Sequence, residues 1–151
     1  MKLAEALLIR KDLQNKLNEI RSRLNNNAIV QEGETPAEDP QMLLSQAQQM
    51  ISELQKLMTL INLTNAQLVC DGKTMTELLA ERDCLKQEIS MIRDFLDSAS
   101  STGRRARGSE IKVISTVPVA EIQKMADSKS QQLRKLEMKI QELNWTSETA
   151  E

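Results

Sequence analysis

Apolar residues recur at alternating spacings of three and four along four long segments of the chain, the pattern of one apolar stripe on an α-helix. The segments span about 2–26, 40–69, 74–99 and 118–144. A helix of 25 residues is about 37 Å long, so helices of this length must pack side by side. The pattern therefore predicts one all-α domain over residues 1–151, built as antiparallel coiled-coil hairpins or as a four-helix bundle.

The second segment has the most regular stripe. Its spacing of three and four continues for more than three heptads, through Leu43, Ala47, Met50, Leu54, Leu57, Ile61, Thr64 and Leu68.

Residues at the ends of these segments favour the same boundaries. Asp39 precedes Pro40, and an aspartate can cap a helix whose first turn needs no amide hydrogen from proline. The residues Thr74 to Glu77 match a capping box, which predicts the start of the third helix. Asp71-Gly72 readily adopts positive φ, so we expect a tight turn between the second and third helices.

Two other connections differ in character. The β-branched run 111–117 is typical of a strand, and its candidate partner is 28–30, which predicts a small two-stranded element. The Ser-, Gly- and Arg-rich stretch at about 98–109 predicts a flexible loop.

Composition favours long, narrow helix interfaces. The chain has one Phe, one Trp and no Tyr, so aliphatic residues must fill the core. Helices with such cores are too long and too poor in aromatics to build one thick interior. We therefore expect the chain to associate with itself as a homo-oligomer.

The sequence offers little for chemistry or for membranes. It contains no His, which removes the commonest general base and transition-metal ligand, and we expect neither enzymatic activity nor a cofactor nor a bound metal. The formal net charge is −2, so nucleic acid and membranes are not favoured as partners. Charged residues near the N-terminus argue against a signal peptide, and the longest uncharged run is too short and polar to span a membrane, which favours the cytoplasm.

Several segments resemble one family. They are SRLNNNAIVQEGETPAEDP (22–40), INLTNAQL (61–68), DGKTMTELLAERDCL (71–85), SEIK (109–112) and IQELNW (140–145). The chain resembles the septicolysin-like family of small, largely uncharacterised bacterial proteins. The family name implies a cytolysin. A thiol-activated cytolysin carries its cysteine in a tryptophan-rich loop, however, and Trp145 is far in sequence from Cys70 and Cys84.

Charged residues interrupt three of the stripes. They either extend their head groups to the edge of the helix interface or act as specificity elements that penalise wrong registers. A paired Arg82 would meet a carboxylate on another helix, with Glu5, Glu19, Glu53 and Glu137 as candidates. The interrupting residues are Arg10, Arg82, which Asp83 follows, and Lys129.

The remaining candidate sites are in loops and at helix ends. An acidic loop is either solvated or a site for a hard cation, and it includes Glu32 and Glu34. A basic loop could contact phosphates of a nucleic acid through Arg104, Arg105, Arg107 and Lys112. Residues at the helix ends have two possible roles. The asparagines cap chain ends and the tryptophan covers the end of the bundle, or these residues line a ligand pocket there. They are Asn62, Asn65, Asn144 and Trp145. Cys70 and Cys84 are expected to be reduced thiols, with a redox role left open.

The favoured function is therefore a self-assembling structural or interaction module of the cytoplasm. A membrane-lytic protein and a nucleic-acid binder acting through residues 104–112 are the alternatives.

Overall fold

The structure is a computed structural model that describes residues 1–101 and 111–150. Four helices lie in these ranges: α1 (Leu3–Asn26), α2 (Pro40–Gln67), α3 (Met75–Ala99) and α4 (Val119–Thr146). Between α2 and α3 are two short strands, β1 (Val69–Cys70) and β2 (Lys73–Thr74). The predicted all-α class is confirmed, and the helix ends agree with the sequence pattern to within two residues.

The start of α2 follows from the two residues that predicted it. Asp39 Oδ1 accepts a hydrogen bond from the backbone N–H of Gln41 at 3.0 Å, and Pro40 occupies the first helical position. The aspartate satisfies one of the amides that have no partner at a helix N-terminus, and the proline has no amide hydrogen to satisfy.

The turn between the strands has the conformation that Asp-Gly predicts. Asp71 has φ of 50° and Gly72 has φ of 79°, so both central residues lie in the left-handed region that a type I′ hairpin turn requires. The flanking residues pair antiparallel, Val69 with Thr74 and Cys70 with Lys73. The small two-stranded element therefore exists, but at 69–74.

The predicted positions of that element, 28–30 and 111–117, are wrong, because neither segment forms a strand. Most of the apolar side chains there are exposed, Ile29 and Ile114 among them. β-branched residues favour strands when they pack on a half-buried pleated surface, and these segments have no such surface. The predicted flexible loop at about 98–109 falls mostly outside the described residues.

The chain divides into two compact units, one formed by residues 1–74 with the segment from Leu143 onward, the other by residues 75–142. In the first unit, α1 and α2 pack antiparallel. The end of α1 meets the start of α2 around the buried residues Ile20, Leu43 and Ala47. The partly buried residues packed against this cluster are Leu17, Leu24 and Met50.

The segment after α4 completes the first unit. Lys2 and Glu148 form an antiparallel bridge, with Leu3 N donating to Ser147 O at 3.0 Å. Lys2 Nζ also lies 2.7 Å from the Glu148 carboxylate, and the hydrogen bond from Lys2 lowers the pKa of Glu148. The backbone N–H of Ala150 donates to Thr64 Oγ1 at 2.9 Å.

The second unit contains α3 and most of α4, which run antiparallel. Lys86 pairs with Glu137 at 3.0 Å, and Glu88, farther along α3, pairs with the earlier residue Lys129 at 2.9 Å. The buried residues of this unit are aliphatic, which fits the scarcity of aromatics: Met75, Leu78, Leu85, Ile89, Leu96, Ala126 and Ile140.

Candidate interaction face on the second helix

Helix α2 is unusually poor in charge. Among its 28 residues the charged ones are Glu53 and Lys56. Its other polar residues are Gln, Ser, Thr and Asn. Over 24 residues, by contrast, α1 carries Glu5, Arg10, Lys11, Asp12, Lys16, Glu19, Arg21 and Arg23. A surface helix normally relies on charged residues for its solvent side, so α2 differs from a helix that only covers a core.

A second apolar row runs along α2 beside the stripe that packs on α1. Leu44, Ile51 and Met58 are spaced by seven, which is nearly two helical turns, and therefore lie on one side of the helix. They are 50%, 53% and 42% exposed. We call this set the α2 row. Apolar side chains in such a line are a feature of surfaces that bind another helix.

Two shallow grooves flank the α2 row, and Ile51 lines both of them. One lies between α1 and α2, and its apolar lining is Leu17, Leu24, Leu44, Ala47 and Ile51. The other follows α2 alone and is lined by Ile51, Leu54, Gln55, Met58, Thr59 and Asn62. Ile51 therefore borders both grooves, and it is the central residue of the α2 row.

The charged residues of α2 lie on its other flank. Glu53 and Lys56 line a separate groove beside Leu57 and Leu60. Arg21 of α1 is a charged residue at the edge of the α2 row. The region of the row itself is thus uncharged, apart from this arginine at one end.

An ion pair fixes the chain close to the start of α2. Arg23 Nε donates to Glu38 Oε2 at 2.9 Å, and the backbone N–H of Glu38 donates to Asn27 Oδ1 at 3.0 Å. The hydrogen bond from Arg23 lowers the pKa of Glu38 and raises that of Arg23. These contacts hold the loop before α2 against the end of α1.

The three charged residues that interrupt the stripes differ in their surroundings. Arg82 Nε donates to Asp83 Oδ1 at 2.9 Å, so the ion pair that the structure shows joins neighbours on α3. The sequence-based candidates for the partner of Arg82 were Glu5, Glu19, Glu53 and Glu137, all on other helices. None of them is the observed partner, because the Arg82 side chain binds the carboxylate next to it in sequence. Lys129 pairs across helices with Glu88, and Arg10 is half-buried on α1.

The predicted residues at the helix ends differ in how exposed they are. Asn62 lines a groove beside the α2 row, Asn65 is half-buried and Asn144 is buried. Trp145 is 58% exposed, so its indole does not cover the end of the helices as predicted. A large ring at the last turn of a helix can point to solvent as easily as inward, and the sequence does not distinguish the two.

The predicted loop residues are exposed where the structure describes them. Glu32, Glu34 and Lys112 are exposed, whereas Arg104, Arg105 and Arg107 lie outside the described residues. Cys84 is exposed and Cys70 half-buried, both as free thiols.

The described residues include neither a metal-binding cluster nor a membrane-spanning helix. Within 1–101 and 111–150, no group of three Cys, Asp or Glu side chains is arranged to hold a metal ion. No helix in that part of the chain is both long and apolar enough to cross a membrane.

The α2 row was not identified as a site by the sequence pattern. The stripe that packs on α1 explained most apolar positions of this helix, and Leu44, Ile51 and Met58 were left outside it. Two signals could have revealed the row: its spacing of seven and the near absence of charge in the same helix.

Comparisons with known proteins identify relatives, none of them with an assigned function. A family model described as a family of unknown function (DUF6847) matches residues 10–149. A crystal structure described as that of a functionally unknown conserved protein from Corynebacterium diphtheriae is similar, with 36% identity and a TM-score of 0.92 over 99% of each chain. No curated protein matches the chain.

These findings correct the resemblance inferred from the sequence. The septicolysin-like assignment is wrong, since the segments from Ser22 to Trp145 that suggested it lie inside the matched family of unknown function. The membrane-lytic alternative came from that family's name and loses its basis. This chain belongs to the protein family of unknown function DUF6847.

Proposed function

We propose that this protein is a self-associating structural or interaction module without catalytic activity of its own. The observation that carries the proposal is the α2 row, a line of half-exposed aliphatic residues on a helix almost without charge. Cores of protein interfaces are depleted in Lys, Glu and Asp and enriched in Met. A contiguous apolar surface on a small protein commonly marks a binding site.

The energetics favour weak association. Full burial of a Leu, Ile or Met side chain contributes about 1.5–3 kcal/mol, so burying the exposed half contributes roughly 1 kcal/mol. Two copies of the α2 row then contribute about 6 kcal/mol, against an association cost of about 4–15 kcal/mol. The grooves and the amide side chains beside the row must therefore take part.

We place this module in the cytoplasm. Cys70 and Cys84 are free thiols, and free cysteines are typical of proteins in reducing compartments.

The spacing of seven in the α2 row further favours coiled-coil packing between copies.

The oligomeric state tests the proposal. Sedimentation equilibrium over a range of micromolar concentrations should give an average mass that rises above the 17.1 kDa of one chain. A mass that stays at one chain throughout would contradict self-association.

Two further assays separate the other classes of function. Vesicle leakage would indicate a lytic protein, and salt-dependent binding to nucleic acid would indicate phosphate contacts. We expect neither from this protein.

A further inference from the structure

We propose that α2 binds α2 of a second copy antiparallel, about a two-fold axis that passes beside Ile51. This inference rests on the proposed function, because it names the partner and the geometry of the self-association. The occupant of the α2 row is then a second copy of this chain.

The symmetry of the row about Ile51 supports this geometry. Leu44 is seven residues before Ile51 and Met58 is seven residues after it, so each lies about 10 Å from it along the helix. A two-fold axis at Ile51 places Ile51 against the partner's Ile51 and Leu44 against the partner's Met58. A self-complementary patch of this kind is what an isologous interface requires.

The absence of charge in the row favours an identical partner. In an interface with two-fold symmetry, residues near the axis face the same residues of the other copy. A charged residue there would face the same charged residue of the other copy, and this repulsion would lower the affinity several-fold or more. The polar residues beside Ile51 include Gln48 and Gln55, and an amide both donates and accepts, so it can pair with another amide across the axis.

Charge at the ends favours the antiparallel orientation. Arg21 lies at the Leu44 end of the row, and the exposed Glu32 and Glu34 are in the loop that precedes α2. Parallel pairing would bring these charges against the same charges of the second copy. Antiparallel pairing separates them by much of the length of α2, and it also opposes the two helix dipoles favourably.

Cysteine cross-linking tests the geometry directly. The native thiols are first removed in a Cys70→Ser, Cys84→Ser background, because Cys84 is exposed and would cross-link by itself. In that background, oxidised Ile51→Cys should form a disulfide-linked dimer. A mixture of the Leu44→Cys and Met58→Cys proteins should give far more disulfide-linked dimer than either variant gives alone. Met42→Cys is the control, since it is nine residues, or two and a half turns, from Ile51 and thus on the opposite side of α2.

Charge substitutions test the contribution of the row to affinity. Ile51→Glu should weaken self-association about 100-fold or more, because two carboxylates would meet at the axis. Met42→Glu, at an exposed position on the opposite side, should leave the affinity unchanged. Circular dichroism should show equal helix content in both variants, since both native side chains are largely exposed.

The outcomes separate this inference from the proposed function. An oligomer that resists Ile51→Glu and does not cross-link through Ile51→Cys overturns the α2 interface and leaves self-association standing. Efficient linkage of Leu44→Cys to itself, without linkage to Met58→Cys, overturns the antiparallel orientation. A wild-type protein that is monomeric at every concentration overturns both proposals.

Discussion

Glu38 shows how one residue of the loop before α2 depends on its partner. The hydrogen bond from Arg23 lowers the pKa of the Glu38 carboxyl. A carboxyl whose pKa is lower in the folded protein stabilises the fold at pH above its unfolded pKa, about 4.3. That contribution is fully present at neutral pH and is lost as the pH falls through the folded pKa.

We therefore predict that Arg23→Met raises the pKa of Glu38 toward its ordinary value. An NMR titration of the Glu38 side-chain carboxyl measures the shift. Arg21→Met is the matched control, because Arg21 is an arginine on the same turn of α1 but is not the donor to Glu38. An unchanged Glu38 pKa in Arg23→Met would show that the ion pair does not form in solution.

Single residues also show where sequence reasoning stops. The spacing of three and four includes Arg82 in the stripe of α3, and the structure shows it half-buried. Its partner could not be chosen from sequence, because an arginine side chain reaches carboxylates on several elements. The structure pairs it with Asp83, the residue beside it.

At the scale of elements, the turn between β1 and β2 depends on Gly72. Its φ of 79° is a conformation that most residues avoid. A Cβ added at Gly72 would meet nothing within 4 Å, so the cost of substitution comes from the backbone alone. We predict that Gly72→Ala lowers the free energy of unfolding by about 1–2 kcal/mol.

Urea denaturation measures this loss, and Gly72→Asn provides the comparison. Asparagine tolerates the left-handed region better than alanine, so Gly72→Asn should be the more stable variant. Equal stability of Gly72→Ala and the wild-type protein would mean that the turn is not formed with positive φ at this position.

The elements themselves were largely predictable, and the reason is local. The apolar residues of each helix recur with the helical period, and α2 also has a cap in Asp39. Short stretches of sequence are therefore enough to define the helices. The strands were predicted in the wrong place because strand formation needs a partner. Residues 111–117 have the composition of a strand but form none in the structure, whereas Asp71-Gly72 brings its own flanking residues together.

At the scale of the whole molecule, Thr64 ties the segment after α4 to α2. Its hydroxyl donates to Leu60 O at 2.8 Å and accepts from the backbone N–H of Ala150 at 2.9 Å. Thr64 is 3% exposed, so replacing it with an apolar residue of the same shape leaves that N–H without its acceptor. We predict that Thr64→Val destabilises the protein by about 1–3 kcal/mol.

The specific readout is amide hydrogen exchange at Ala150, which should be faster in Thr64→Val. Thr64→Ser keeps the hydroxyl and should preserve the protection. If both variants protect Ala150 as well as the wild-type protein does, the hydrogen bond to Thr64 does not hold this segment.

Contacts of this kind could not be derived from sequence, and the same holds for the α2 row as a site. Nothing near Glu148 or Ala150 in the sequence points to Lys2 or Thr64, because hydrogen bonds between distant segments leave no periodic signal. The α2 row did leave a signal, in the spacing of Leu44, Ile51 and Met58. Only the structure shows which side of α2 packs on α1, and therefore that these three residues are exposed.

The hydrogen bond from Lys2 to Thr146 O joins residues 144 positions apart. Closing a loop of that length costs chain entropy before any contact repays it, so pairings of high contact order form late in folding. The antiparallel pairing of α1 with α2 uses residues near one another in sequence, and both helices are synthesised before residues 147–150. A nascent chain thus has the complete α2 row before residues 2 and 3 can pair with residues 146 and 147. The self-association proposed above would therefore not require that late pairing.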